Sequence, residues 1–132
     1  MAWVSVHEEV IGSKLRGLAK ATNVSQHEAL GMLVALWLWG LYNADTDGEI
    51  KNADREDVAK AIAVGMDGNL DPLDIVDKLI ETKWLDEQDG KIYIHDWDQW
   101  QEQWYKYQAQ KEYDVRRKQA DRAARKQQHS GQ

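Results

Sequence analysis

The sequence predicts a mainly α chain with one small β-hairpin and a long C-terminal helix. Three observations predict it. There is a single Pro in 132 residues, so helix is free to form wherever apolar spacing allows. Four segments repeat apolar residues at helical spacing, and Ser25 and the Asp71-Pro72 pair stand where helices begin. Two short β-prone runs, Trp84–Glu87 and Lys91–Ile94, flank Gln88-Asp89-Gly90.

Trp3 to Val6 reads as a short extended lead-in. His7 to Ala21 is predicted as a helix, with Val10, Ile11, Leu15 and Leu18 inward, broken at Thr22-Asn23-Val24. Ser25 opens the second helix, and Glu28 three residues later completes a capping box. Leu30, Met32, Leu33, Leu36, Trp37, Leu38, Trp39 and Leu41 leave this helix with no polar face, which predicts the central post of the domain. Its surplus surface, at Trp39 or Tyr42, is open to a partner.

Asn43 to Asn52 reads as a turn with a short extended piece, Gly48–Lys51. Asp54 starts the third helix, with Asp57 at N3 and Val58, Ala59, Ile62 and Ala63 inward. The stretch Gly65–Asn69 ends it. Asp71 caps the fourth helix with Pro72 at N1, and Leu73, Val76, Leu79 and Ile80 form its inward stripe, ending near Lys83. After the hairpin, a long helix runs from Asp98, with Trp97, Trp100, Trp104 and Tyr107 at helical spacing on one side. That aromatic part is expected to pack on the body, and the part from about Lys111 to project or fray.

Helix, helix, short strand, helix, helix, hairpin, long helix is the order of a winged helix-turn-helix with a C-terminal extension. The expected domains are a winged-helix domain at 1–105 and a basic, partly disordered C-terminal helix or tail at 106–132.

Charge follows that division. Residues 1–105 carry nine Lys/Arg against twenty Asp/Glu, a net of −11, and 106–132 carry eight against three, a net of +5. An acidic body with a basic tail points to an anionic partner such as nucleic acid, or to self-association between the two. Cys is absent, which excludes disulfides, thiolate metal sites and a thiol nucleophile, and fits a reducing cytoplasm. The N-terminus has no basic region followed by an apolar run, so no secretory signal is expected. The most apolar stretch, Ala29–Tyr42, is only fourteen residues long and contains Gly31 and Gly40, which suits a buried helix rather than a membrane span.

Several stretches carry a more specific resemblance: Trp3-Val4-Ser5-Val6-His7, Ala35-Leu36-Trp37-Leu38-Trp39-Gly40-Leu41 and Leu79-Ile80-Glu81-Thr82-Lys83-Trp84-Leu85. Ile92-Tyr93-Ile94-His95-Asp96-Trp97, followed by a basic helix, completes the set. Over about residues 3–125 the chain resembles the N-terminal domain of phage replisome organisers, related to the DnaD-like winged-helix replication proteins. Each stretch is a packing pattern rather than a chemical signature. The resemblance implies a domain that oligomerises and contributes to origin DNA binding, working in a bacterial cytoplasm beside replication proteins such as a helicase loader.

The candidate DNA contacts are the cations of the tail, Arg116, Arg117, Lys118, Arg122, Arg125 and Lys126, with Lys106 and Lys111 on the approach. Such a run gives salt-sensitive, sequence-independent affinity for phosphates; the plain alternative is a solvated tail or linker. Lys78 and Lys83 on the fourth helix would be the groove contacts of a winged helix, but Asp71, Asp74, Asp77 and Glu81 share its surface and repel phosphate. Lys91 at the hairpin is the wing candidate, opposed by Asp86, Glu87 and Asp89. The aromatic set from Trp97 to Tyr107 offers base stacking, against which packing in the core or a dimer is the simpler reading.

Asn43, Asp45, Asp47, Gly48, Ile50 and Asp54 fall at positions 1, 3, 5, 6, 8 and 12 of an EF-hand loop. Asn at position 1 and the short Asp at position 12 weaken a calcium reading, and a plain turn followed by a helix cap explains the same residues. His7-Glu8 and His27-Glu28 lack the second His that a zinc helix needs, and His95 reads as a structural hydrogen-bond partner. With no phosphate-cradling Gly-rich loop and no convergent carboxylate pair, the expectation is a non-enzymatic protein without metal or cofactor. The alternatives are a protein-interaction or oligomerisation module that does not touch DNA, a winged-helix transcription regulator and, more remotely, a calcium-responsive helix–loop–helix protein.

Overall fold

A computed structural model describes residues 2–63 and 70–130, and the side chains of 127–130 are outside it. The predicted stop at Gly65–Asn69 lies outside the described residues. The chain divides into two compact units, Met1–Gln101 and Glu102–Gln132.

In the first unit the local start signals set the helices. A short 3-10 turn, Glu8–Val10, is followed by α1, Ser13–Thr22. The single helix expected over 7–21 is therefore interrupted at Ile11-Gly12. The break changes the phase of the apolar stripe: Val10, Leu15, Leu18 and Ala19 are buried, whereas Ile11 is turned out to solvent. Asn23, in the left-handed region at φ 57°, ends α1.

Next comes α2, Gln26–Asn43. Its capping box forms as the sequence predicts: Glu28 N–H donates to Ser25 Oγ at 3.1 Å and Ser25 N–H to Glu28 Oε1 at 3.4 Å. Ala29, Met32, Leu33, Leu36, Trp37 and Gly40 are buried, which makes α2 the central helix of this unit. Leu38 and Tyr42 are its exposed apolar side chains.

Helix α3, Arg55–Ile62, starts at Asp54, whose carboxylate and that of Asp57 exchange backbone bonds at 3.0 and 2.9 Å. In α4, Pro72–Glu81, Asp71 accepts from the Leu73 N–H. Its inward stripe differs from the expected one. Ile75, Val76 and Leu79 are buried and Leu73 is exposed, because Pro72, Ile75, Val76 and Leu79 hold the i, i+3, i+4, i+7 positions of a single face.

Strands β1, Leu85–Gln88, and β2, Lys91–Ile94, pair antiparallel with Leu85 opposite Ile94 and Gln88 opposite Lys91. Asp89 and Gly90 both have positive φ, 53° and 77°, as a two-residue type I′ turn requires. The expected extended piece at 48–51 is reduced to bridges. Ile50 N–H donates to Ile92 O, Ile94 N–H donates to Gly48 O, and Glu49 pairs with Tyr93.

Trp37, Trp84, Trp97 and Trp100 form the aromatic heart of the unit. Trp37 lies 6.4 Å from Trp84 and stacks on Trp100 at 5.9 Å. Trp97 is fully buried. The single helix expected from Asp98 is instead α5, Trp97–Trp100, an interruption at Gln101, and then α6, Glu102–Ser130. Trp97 and Trp100 thus belong to the first unit.

The second unit is α6 itself, continuous through Lys111 to Ser130. Trp104 and Tyr107 stack at 5.9 Å, one turn apart. Lys106 pairs with Glu102 at 2.7 Å, and Gln110 donates to Asp114 at 3.1 Å. No helix of the described residues is long and apolar enough to cross a membrane.

Candidate nucleic-acid interface

The expected contacts fall into two groups, and their surroundings differ. On the first unit two of the three expected cations are matched by carboxylates. Lys78 pairs with Glu81 at 3.5 Å, one turn along α4. Lys91 pairs with Glu49 at 3.2 Å. Lys83 follows α4 in the left-handed region, φ 67°, and forms no ion pair among the described residues.

Around them the acidic groups are tied into the fold. Arg55 at the start of α3 contacts Asp77 of α4 and, at 2.8 Å, Glu87 of β1. One guanidinium thereby joins helix, helix and hairpin, a role that no local pattern around Arg55 announces. Asp74 and Glu81 remain exposed on α4, and Asp89 on the hairpin tip. The surface that a winged helix would set against DNA is therefore acidic.

On α6 the surroundings reverse. Lys111, Arg116, Arg117, Lys118, Arg122 and Arg125 are exposed and form no ion pair among the described residues; Lys126 is exposed as well. Lys106 has an acidic partner one turn back, Glu102. Seven cations between residues 111 and 126 face three carboxylates, Glu112, Asp114 and Asp121. Spread over about 15 residues at about 1.5 Å each, they form a rod of positive charge roughly 22 Å long. Such a rod attracts polyanions over about a Debye length and binds them by displacing counterions.

Two further charge clusters lie in the first unit. The carboxylates of Asp45, Asp47 and Glu49 come within 4.8 Å of one another in the turn after α2. Lys51 Nζ donates to Glu49 at 2.7 Å and approaches Asp45 at 3.4 Å, so an ammonium from the chain offsets part of the cluster's negative charge. That bond, with help from Lys91, holds Glu49 below the usual carboxylate range and lifts Lys51 above the usual lysine one. The backbone does not follow an EF-hand loop. The Glu49 carbonyl accepts from Asp45 N–H at 2.9 Å, and the Asp54 carboxylate is spent on the α3 cap. The Asp57 N–H bond is the main reason that Asp54 titrates below an ordinary Asp.

His95 is held between two carboxylates, with Nδ1 2.7 Å from Asp86 and Nε2 3.4 Å from Asp96. It locks the base of the hairpin, as its expected structural part requires. Nearby, Lys14 Nζ lies 4.4 Å over the ring of Trp84. Partial burial lowers the Lys14 pKa against the opposing pull of Asp96 and Asp86. Both ring nitrogens of His95 face carboxylates rather than a hydroxyl, so this cluster does not present an activated nucleophile.

Protein-family models, curated proteins and solved structures yield no match to this chain.

Proposed function

We propose that the chain is a non-enzymatic nucleic-acid-binding and assembly module of the replisome-organiser type, with a winged-helix first unit and a cationic α6 that holds the phosphate backbone. The element order supports the winged-helix reading. So does the bridge from Glu49 to Tyr93, which sets the segment before α3 beside the hairpin, where a winged helix places its first strand. The resemblance in the aromatic stretches supports the replication role.

One observation carries the assignment of the contact. Among the described residues, six exposed Arg and Lys without an ion pair follow one another on α6 between Lys111 and Arg125; in the first unit Lys78 and Lys91 are each matched by a carboxylate, and the exposed Arg16, Lys20, Lys60 and Lys83 are spread over three separate segments. Phosphate neutralisation supplies most non-specific affinity, so the free cations decide where nucleic acid sits. The acidic first unit then serves protein contacts: a second copy, or a basic surface on another replication protein.

The test is fluorescence anisotropy of a labelled oligonucleotide against salt concentration. The full chain should bind at 50 mM salt. Replacing Arg116, Arg117, Lys118 and Arg122 together by Gln should weaken binding at least tenfold and flatten the log–log salt slope by up to about 3.6, since each lost phosphate contact removes roughly 0.9 from it. Absence of binding by the full chain at low salt, or an unchanged slope in the variant, overturns the assignment and leaves a protein-interaction module.

A further inference from the structure

Two helices of this chain carry stripes of opposite charge. At about 100° per residue, Lys111, Lys118, Arg122 and Arg125 of α6 fall within roughly 60° of one another, with the exposed Val115 beside them. Asp114 and Asp121 mark one edge of this stripe. On α4, the exposed Asp74, Asp77 and Glu81 also share a sector of roughly 60°, with the exposed Leu73 beside Asp77. Asp74 to Glu81 and Lys118 to Arg125 each cover about 10.5 Å of helix. Arg55 contacts both Asp77 and Glu87, which brings a fourth carboxylate, from the hairpin, next to the α4 stripe. The four carboxylates there face two cations, Arg55 and Lys78. Asp74 forms no ion pair among the described residues, and neither do the four cations of the α6 stripe.

We infer that the cation stripe of α6 docks on the acidic face of α4 in a second copy of this chain, so that self-association and nucleic acid compete for the same Lys and Arg. The docking stands on its own; the competition rests on the reading of α6 as the nucleic-acid contact. A second copy is the occupant because the charge of each chain is split, −11 over residues 1–105 and +5 over 106–132, so every copy brings both the stripe and its complement. The contact joins two different surfaces. Two copies that dock α6 reciprocally close it, and otherwise it propagates from copy to copy. Exposed ion pairs are individually weak and screened by salt, so the assembly forms at high protein concentration and yields to a stronger polyanion. Duplex DNA is such a polyanion, with one charge per about 1.7 Å against three carboxylates over about 10.5 Å of α4.

Sedimentation velocity of the full chain tests this. At about 50 mM salt the weight-average mass should rise between roughly 10 µM and 500 µM protein, and at about 500 mM salt it should fall to that of one chain. Asp74→Lys with Glu81→Lys, and separately Lys118→Glu with Arg122→Glu and Arg125→Glu, should each weaken association at least tenfold with unchanged circular dichroism. Mixed in equal amounts, the two variants should associate again, because reversed α4 then meets reversed α6 and each unaltered stripe meets its complement. Damage to the fold would not be repaired in this way. A single-chain mass at every concentration, or no recovery in the mixture, overturns the docking. An excess of a duplex of about 10 base pairs should dissociate the assembly into single chains bound to DNA. DNA bound to an undiminished assembly overturns the competition and leaves the docking. A duplex that does not bind overturns the nucleic-acid reading and the competition with it, and again leaves the docking.

Discussion

The side-chain amide of Gln101 bonds both backbone groups of Ser5. Ser5 N–H donates to Gln101 Oε1 at 2.7 Å, and Gln101 Nε2 donates to Ser5 O at 3.1 Å. A glutamine thus takes the part of a neighbouring strand for a residue 96 positions earlier in the chain. His7 reinforces the contact, with Nε2 2.8 Å from Trp100 O and its ring edge-on to the Trp100 indole at 5.2 Å. Gln101 is fully buried, so its polar atoms need these partners.

Gln101→Leu fills the same space without the amide. It leaves Ser5 with an unmet donor and acceptor, and the expected loss is about 1–3 kcal/mol. Urea denaturation followed by Trp fluorescence measures it. A midpoint within error of the parent would show that the pairing contributes nothing net.

Gly48 and Gly90 both have positive φ, 90° and 77°, yet they should respond differently to Asn, the side chain that tolerates this region best. A Cβ at Gly90 meets nothing within 4 Å; one at Gly48 would sit 2.5 Å from the Ile94 carbonyl and 2.9 Å from Trp97 Cβ. Gly90→Asn should change stability by less than about 1 kcal/mol, since a type I′ turn accepts it. Gly48→Asn should cost at least about 2 kcal/mol, because backbone must move. Similar melting temperatures for the two variants would refute the close approach.

Features legible in the sequence were those decided within four residues. The Ser25–Glu28 and Asp54–Asp57 boxes, the Asp71-Pro72 start and the Asp89-Gly90 turn depend on neighbours alone, and local chemistry fixes them. The outward Ile11 was not legible, because the break at Gly12 shifts the helical phase and nothing in an i, i+3, i+4 count marks it. Nor was the interruption at Gln101, whose bonding partner is Ser5. In the candidate site, the identities of the cations could be read directly. That Lys91 is matched by a carboxylate could not, since Glu49 meets it only through the bridge between segments distant in sequence.

Glu49 gives a pH prediction. Its hydrogen bond from Lys51, helped by Lys91, keeps its folded pKa below the ordinary value of 4.5. A lowered carboxylate pKa contributes stability that is fully present above the unfolded value and lost as pH falls through the folded one. Glu49→Gln should therefore reduce the acid sensitivity of the melting temperature below about pH 4.5, with parent and variant converging as pH falls through the lowered pKa of Glu49. Parallel curves for the two proteins across that range would remove Glu49 from the acid transition.

The last prediction concerns α4, the helix that a winged-helix module commonly sets into DNA. Lys78 faces Glu81 at 3.5 Å, and Asp77 is engaged by Arg55. Bringing phosphate to this surface would set it against Asp74, Asp77 and Glu81, and the repulsion opposes whatever the two lysines gain. Lys78→Gln with Lys83→Gln should then alter oligonucleotide affinity by less than twofold at 100 mM salt, where loss of the α6 cations costs at least tenfold. Reversing the acids probes the same balance from the other side. Asp74→Lys with Glu81→Lys should strengthen binding several-fold, because it gives α4 the charge that groove contact needs. A large loss in the first double variant would place nucleic acid on α4 and make the α6 cations accessory to it.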